Sequence, residues 1–104
     1  MTSVEIRRVE TNKKQYLALL LLADEQEDMI DRYLERGSMY VLEDDGVKAE
    51  CVVTDEGGGV LELKNIAVEP DFQGKGYGKA LVDFLIRTYA GQYMLLQVGT
   101  GDSP

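Results

Sequence analysis

The chain contains no histidine and a single cysteine among its 104 residues. The absence of histidine removes the commonest metal ligand and the commonest general base, so the sequence predicts no metal site. One cysteine excludes an internal disulfide bond. Cys51 alternates with Val47, Ala49 and Val53 along one face of a predicted strand. This pattern favours a buried small apolar side chain over a nucleophile.

The sequence also lacks a long apolar run and a net positive charge. It has no stretch of about 18 apolar residues and no basic, apolar, small-residue leader at its start, so we expect a cytoplasmic protein without a membrane partner. The formal net charge of -8 argues against a nucleic-acid partner, because phosphate backbones require a basic face. A length of 104 residues, with 44% hydrophobic and 29% charged residues, predicts a single domain over residues 1–104.

A glycine-rich segment follows directly after a strand-like run at residues 61–68. Three glycines occupy alternate positions there, which lets the backbone turn tightly and approach a ligand without Cβ clashes. A helix that begins at Gly76 or Tyr77 would direct its free N–H groups at an anion, and two lysines add positive charge. The segment therefore predicts a phosphate-binding loop, whose residues are Gln73, Gly74, Lys75, Gly76, Tyr77, Gly78 and Lys79.

Two other phosphate-binding loops have spacings that this segment does not match. A Walker loop requires a glycine, four residues and then Gly-Lys followed by Ser or Thr. Neither Gly74-Lys75 nor Gly78-Lys79 meets that requirement. A dinucleotide-binding loop would have glycine at position 79, where this sequence has lysine. A plain glycine turn before a helix is the remaining alternative.

The segment resembles the acetyl-CoA loop of the GCN5-related N-acetyltransferase (GNAT) superfamily, in which Gln/Arg-x-x-Gly-x-Gly/Ala follows a strand that ends near Val-x-Pro. Here Val68-Glu69-Pro70 precedes a two-residue spacer and then residues 73–78. The resemblance implies that acetyl-CoA is the acetyl donor, that the loop binds its pyrophosphate, and that the strand end pairs with its pantetheine arm. The implied cofactor-binding residues are Ile66, Ala67, Val68, Gln73, Gly74, Lys75, Gly76, Tyr77, Gly78 and Lys79.

Hydrophobic periodicity and breaker residues predict the order of the helices and strands. The first half contains a strand at residues 4–9, a helix capped by Thr11 or Asn12, and a helix over residues 24–36 that Gly37 ends. The second half contains strands at residues 39–43, 47–55 and 60–68, a helix after the loop, and a buried strand at residues 94–98. The acids of the second helix predict a solvated face, although the resemblance leaves a substrate contact open for some of them: Asp24, Glu25, Glu27, Asp28 and Asp31.

These elements predict an α/β (α+β) fold in the order β-α-α-β-β-β-α-β. Leu61 and Leu63 have one side-chain parity, whereas Ile66 and Val68 have the other, so the phase of the strand slips near residues 64–65. A β-bulge is the simplest explanation. The resemblance implies the same feature, in a mostly antiparallel mixed sheet whose central bulged strand opens backbone groups to the cofactor and is flanked by helices.

Carried over by position, the resemblance makes Glu62 the candidate general base for acetyl transfer to an amine. The alternative is a surface glutamate that forms an ion pair with Lys64 on the same face. The thioester oxygen would accept a hydrogen bond from a backbone N–H near Ala67 or Val68. A tyrosine that protonates the departing CoA thiolate is expected in a later segment, beyond these 104 residues.

The chain ends with Ser103-Pro104, a pair that normally begins a helix. In the resembled family a helix and two strands follow, so we expect a C-terminally truncated acetyltransferase domain that lacks the final α-β-β. An unpaired edge on the last strand would favour a homo-oligomer or strand exchange. The predicted function is acetyl-CoA-dependent transfer of an acetyl group to a primary amine of a small molecule or peptide. The alternatives are a CoA-binding module without turnover and an interaction domain that uses only the scaffold.

Overall fold

The computed structural model describes residues 4–98 of the chain. In this range the elements are β1 (Glu5–Val9), α1 (Leu17–Ala23), α2 (Glu27–Asp31), β2 (Ser38–Glu43), β3 (Val47–Gly57), β4 (Val60–Val68), α3 (Tyr77–Tyr89) and β5 (Leu95–Val98). Short 3-10 turns at Lys13–Tyr16 and Pro70–Phe72 precede α1 and the glycine-rich loop. The element order β-α-α-β-β-β-α-β is confirmed.

The described strands form one sheet in the order β1-β2-β3-β4-β5. The first four pair antiparallel, whereas β5 lies parallel to β4 because α3 carries the chain back across the sheet. Between β2 and β3, Asp45 and Gly46 have φ of 58° and 99°, as a tight hairpin turn requires. The prediction of a mostly antiparallel mixed sheet is confirmed.

Each face of the sheet carries its own hydrophobic core. The core under α3 consists of Tyr40, Leu42, Ala49, Cys51, Val53, Leu61, Leu63, Leu81 and Leu85. The core under α1 and α2 consists of Val9, Leu20, Ile30, Tyr33, Leu34, Met39, Val41 and Val52. Because β3 is covered on both faces, a polar side chain on its central residues is removed from water whichever way it points.

The predicted bulge in β4 is present at Lys64. Val52 of β3 pairs with Asn65, but the next residue, Val53, pairs with Leu63, so that Lys64 is the extra residue on β4. Side chains of opposite sequence parity consequently reach the same core: Leu61 and Leu63 before the bulge, and Ile66 and Val68 after it.

The predicted start of the first helix is wrong. Asn12 has a left-handed backbone conformation with φ of 51° and makes no side-chain capping hydrogen bond, and the segment after it is a 3-10 turn. The cause is tertiary. The ammonium group of the buried Lys13 donates hydrogen bonds of 2.8 Å to the carbonyls of Leu34 and Gly37, which positions the turn against the end of the second helical segment.

The second helix is shorter than the predicted residues 24–36. Helix α2 begins at Glu27 and ends at Asp31, and turns then lead to β2. Gly37 does end the segment, and the reason is a close approach to β3. A Cβ at Gly37 would lie 2.8 Å from Val52 Cγ1 and 2.9 Å from the Tyr33 carbonyl oxygen. Glycine is therefore required by packing where the chain turns into the sheet.

The prediction of a buried last strand is wrong for the part of the chain that the structure describes. Leu95 is 52% exposed and Val98 is 67% exposed, and Met94 just before the strand is 89% exposed. The apolar sequence suggested burial, but β5 is an edge strand in residues 4–98 and packs against only one neighbouring strand.

Candidate active site

The glycine-rich loop has the backbone geometry of an anion cradle. Gly74 and Gly76 have φ of +81° and +87°, a region that side-chain-bearing residues rarely adopt, and an ideal Cβ on either would meet nothing within 4 Å. These glycines are therefore required by backbone conformation, and the space beside them is open to a ligand. Helix α3 begins at Tyr77, as predicted. Its first-turn N–H groups have no partner within the helix and face this loop.

Side chains connect the loop to the ends of two strands. Gln73 Nε2 donates a hydrogen bond of 3.3 Å to the carbonyl oxygen of Val68, the last residue of β4. The hydroxyl group of Tyr77 donates a short hydrogen bond to Asp44 in the β2–β3 turn. These contacts place the loop against the C-terminal end of β4.

A cleft of about 310 Å³ lies between that strand end, the loop and α1. Its lining consists of Leu22, Ile66, Ala67, Val68, Gln73 and Gly78. The structure thus brings together all three strand residues and two loop residues that the sequence predicted for one cofactor. The remaining predicted loop residues lie next to this cleft in the chain without lining it: Gly74, Lys75, Gly76, Tyr77 and Lys79.

One of the two loop lysines has its charge paired with a carboxylate. Lys79 forms an exposed ion pair of 2.8 Å with Asp83, one helical turn further along α3. Lys75 is exposed and has no hydrogen bond or ion pair with any of residues 4–98. Of the two lysines, Lys75 is therefore the one whose charge is available to an anion beside the loop.

The backbone at the C-terminal end of β4 is exposed to the cleft, because the hydrogen-bonded ladder between β4 and β5 is short. The parallel ladder runs from Val60 opposite Leu95 to Leu63 opposite Val98. Within the described residues the ladder does not extend past the bulge at Lys64. The edge of residues 66–68 that faces away from β3 therefore lines the cleft, where an extended ligand could pair with it.

Glu62 lies before the bulge and lines a second pocket, of about 210 Å³, on the α2 side of the sheet. The other residues of this pocket are Asp24, Met29, Arg32, Tyr33, Arg36 and Lys64. We call it the acceptor-side pocket. Of the helix acids singled out in the sequence, Asp24 lines it, whereas Glu27 and Asp31 form exposed ion pairs with Lys14.

The carboxylate of Glu62 is held by two neighbours. Lys64 Nζ lies 2.6 Å from one of its oxygens, and Gln97 Nε2 donates a 2.6 Å hydrogen bond to the other. The hydrogen bond with Lys64, and then that with Gln97, lower the pKa of Glu62 below its ordinary value. The ion pair considered as the alternative reading of Glu62 is thus present, and the side chain is ionised at neutral pH.

Two buried polar residues beneath α1, Glu50 and Asn65, were missed by the sequence analysis. Glu50 is 0% exposed and Asn65 is 3% exposed. Asn65 Nδ2 donates 3.0 Å hydrogen bonds to the carbonyl of Leu20 and to the hydroxyl of Tyr33, which in turn donates to Asp24 at 3.2 Å. The available signal was Glu50 itself, a charged residue inside the apolar run of a strand that is covered on both faces.

Cys51 is fully buried in the core under α3, as predicted. Burial, with a smaller contribution from the nearby Glu50, raises the pKa of its thiol. The thiolate that a nucleophilic cysteine requires is therefore not formed at neutral pH.

Two further findings concern residues 4–98 as a whole. No cluster of three or more His, Cys, Asp or Glu residues in this range is arranged to hold a metal ion. None of the helices in the same range is both long enough and apolar enough to cross a membrane.

Comparison with known proteins shows which family combines these features. Residues 35–102 match the acetyltransferase (GNAT) domain family. An uncharacterized N-acetyltransferase of Bacillus subtilis strain 168, YvbK, is 38% identical over 96 residues, which are 90% of this chain and 61% of that protein. The chain thus spans about three fifths of the length of this curated relative.

Solved structures agree in fold. A GNAT family acetyltransferase from Elizabethkingia anophelis, with acetyl-CoA bound, superposes with a TM-score of 0.87 at 31% identity, over 96% of this chain and 67% of that chain. An IAA acetyltransferase from Bacillus cereus superposes with a TM-score of 0.82 at 41% identity, over 97% and 68% of the two chains. The bulged strand β4, the glycine-rich loop at the start of α3 and these matches together establish that the chain belongs to the GNAT family of acetyltransferases.

Proposed function

We propose that the chain binds acetyl-CoA and transfers its acetyl group to a primary amine of a small molecule or peptide. The single observation that carries the proposal is the cleft formed by residues 66–68, Gln73 and Gly78 next to the loop of Gly74 and Gly76. The similar structure from Elizabethkingia anophelis contains acetyl-CoA, which supports this ligand for the cleft.

The residues present fit the cofactor. In this proposal the left-handed glycines and the first N–H groups of α3 bind the pyrophosphate, with Lys75 adding charge. The free edge of residues 66–68 pairs with the amide groups of the pantetheine arm, as an added strand would. When bound, the cofactor supplies a thioester, whose carbonyl carbon an amine can attack.

Groups of the chain itself would then bind the amine and stabilise the charge that develops during its attack. A backbone N–H of Ala67 or Val68 donates to the thioester oxygen, where negative charge develops during attack. The acceptor-side pocket receives the amine, and the ionised carboxylate of Glu62 attracts its ammonium form. Glu62 stays a candidate for the general base, although its ion pair with Lys64 must loosen before it can accept a proton.

A second candidate function is acetyl-CoA binding without turnover. The six residues that line the cleft have no ionisable side chain among them. A departing thiolate would therefore receive its proton from water or from outside this lining. The absence of an acid among the six lining residues of the cleft is the observation that favours a binding module.

Calorimetric titration of acetyl-CoA tests the binding proposal. Gly76→Trp should abolish the binding heat, because a bulky side chain at φ of +87° would occupy the cradle. The matched control is Gly91→Trp, at the other end of α3, where φ is +83° and the surroundings are equally open. Loss of binding in both variants, or in neither, would contradict the proposed cradle.

Transfer is tested by release of free CoA thiol with tyramine, putrescine and a lysine-containing peptide as acceptors. Acetylation of one amine by the unmodified chain, lost in Gly76→Trp, supports the transferase. Binding without acetylation of any of these amines supports the binding module instead.

A further inference from the structure

Glu50 lies one strand inward from the wall of the cofactor cleft. In the ladders of β3 it is opposite Val41 on one side and Ala67 on the other. Ala67 lines the cleft, and directly paired residues lie roughly 5 Å apart between their Cα atoms. A fully buried carboxyl group is thus close to the strand segment where the proposed function puts the reacting thioester.

Three buried acceptor atoms on this face of the sheet have no hydrogen-bond partner among residues 4–98. They are both carboxyl oxygens of Glu50 and Oδ1 of Asn65. Asn65 of β4 pairs with Val52 of β3, and Val52 lies two residues after Glu50 on β3. The side chains of Asn65 and Glu50 are therefore diagonal neighbours on the α1 face of the sheet. Buried acceptors without protein donors are the partners that internal water molecules bind.

A chain of contacts connects this cluster with the acceptor-side pocket. Asn65 Nδ2 donates to the Tyr33 hydroxyl at 3.0 Å, and Tyr33 lines the pocket together with Asp24. The charge of Glu50 is also among the causes that raise the pKa of Tyr33. Glu50, Asn65 and Tyr33 therefore extend from the cofactor side of β4 to the place where an amine would enter.

No cation faces Glu50 from the elements packed around it. Its strand partners Val41 and Ala67 are uncharged, and α1 has no titratable side chain. The titratable groups nearby are Tyr33, which follows α2, and Cys51, which points to the opposite core.

The lysines of the neighbouring segments have other partners, as does Lys48, which lies two residues before Glu50 on β3 and donates a hydrogen bond to the carbonyl of Asp45. Lys13 donates to the carbonyls of Leu34 and Gly37, and Lys64 pairs with Glu62. Burial without a cation raises the pKa of Glu50 to about 8, whereas that of Glu62 is lowered. A carboxyl group that gains and loses a proton near neutral pH has the acidity that a general base requires.

We propose that Glu50 receives the proton of the acceptor amine, through water held between its carboxylate and Asn65 Oδ1. This inference rests on the proposed acetyl transfer. The ammonium group of the acceptor gives one proton to the Glu50 carboxylate, which leaves a neutral amine and a carboxylic acid. After the amine attacks the thioester, its second proton passes to the departing thiolate, and Glu50 returns its proton to solvent.

Carbon NMR of the glutamate carboxyl groups tests the proposal on the intact 104-residue chain. The resonance that disappears in Glu50→Gln should titrate at least about 2 pH units above the other glutamates. Saturation with acetyl-CoA should move that midpoint, because the ligand binds beside Ala67. A Glu50 midpoint among the other glutamates, or one that acetyl-CoA leaves in place although calorimetry shows binding, would overturn the inference. Absence of binding in the calorimeter would overturn the proposed function and this inference with it.

The rate of acetylation distinguishes Glu50 from Glu62. With the best acceptor among tyramine, putrescine and the lysine peptide, Glu50→Gln should lower kcat by about 100-fold or more. It should change KM for acetyl-CoA by no more than the factor that corresponds to the midpoint shift that acetyl-CoA causes, because the two are linked. The pH dependence near the Glu50 midpoint should disappear in Glu50→Gln and persist in Glu62→Gln, its control. The reverse pattern, or a kcat that Glu50→Gln leaves unchanged, would overturn the proposed role of Glu50 and leave the proposed acetyl transfer standing. Absence of turnover with every amine would overturn the proposed transfer and this role together.

Discussion

Lys64 and Glu62 form an ion pair of 2.6 Å at the bulge of strand β4. The lysine is the extra residue of the bulge, and the glutamate lines the acceptor-side pocket. The bulge at Lys64 therefore also places a cation on the carboxylate that the family resemblance made a candidate general base.

The first prediction concerns this ion pair. Lys64→Met should raise the pKa of Glu62 toward its ordinary value of 4.5, because the largest cause of its lowering is removed. Carboxyl NMR titration of Glu62 measures the change. Lys79→Met is the control, since it removes a lysine from an exposed ion pair with Asp83 on α3. An unchanged Glu62 midpoint in Lys64→Met would show that the ion pair does not form in solution.

The second prediction concerns the pH dependence of folding. Burial raises the pKa of Glu50 from its ordinary value of 4.5 to about 8. Between these two pH values the folded chain keeps the Glu50 proton, whereas the unfolded chain releases it. The stabilising contribution is complete below pH 4.5, falls as the pH rises to 8, and is absent above that. At roughly 1.4 kcal/mol per pH unit, its upper limit is about 5 kcal/mol.

Urea unfolding at pH 5 and pH 9 measures this contribution. Glu50→Gln should have little effect on the free energy of unfolding at pH 5 and should increase it at pH 9, because glutamine does not ionise. Equal effects at the two pH values would show that Glu50 titrates normally in the folded chain.

The third prediction compares neighbouring residues of α3. Leu85 is fully buried in the core under this helix, whereas Ile86 is 55% exposed. Leu85→Ala should lower the free energy of unfolding by about 3 kcal/mol, through lost burial and the cavity left behind. Ile86→Ala should change it by about 0.5 kcal/mol or less. Similar losses for the two variants in urea unfolding would contradict the assigned orientation of α3.

The fourth prediction concerns the edge strand β5. We expect the 104-residue chain to associate at high concentration, because Leu95 and Val98 expose apolar side chains on a strand that has a free edge within residues 4–98. Val98→Lys should weaken association in sedimentation velocity experiments. Val4→Lys is the control, at a comparably exposed position beside the opposite edge. A monomeric mass at every concentration would refute this prediction.

The sequence by itself determined the order of the elements, the bulge and the loop. Each of these depends on local chemistry: side-chain alternation reports the two faces of a strand, and Gly74 and Gly76 are needed for backbone torsions that other residues avoid. The motif after β4 was sufficient to indicate the family, because the loop and the strand that it follows are adjacent in the chain.

Only the tertiary structure decided what surrounds the candidate site residues. Lys13 replaced the expected helix cap by bonding to carbonyls more than 20 residues away. The lowered pKa of Glu62 depends on Gln97 of β5 as well as on Lys64, and the burial of Glu50 depends on helices that cover β3 from elsewhere in the chain. Such contacts join residues that are distant in sequence, and desolvation and charge act through space. Local patterns therefore located the glycine-rich loop and missed the buried acid behind it.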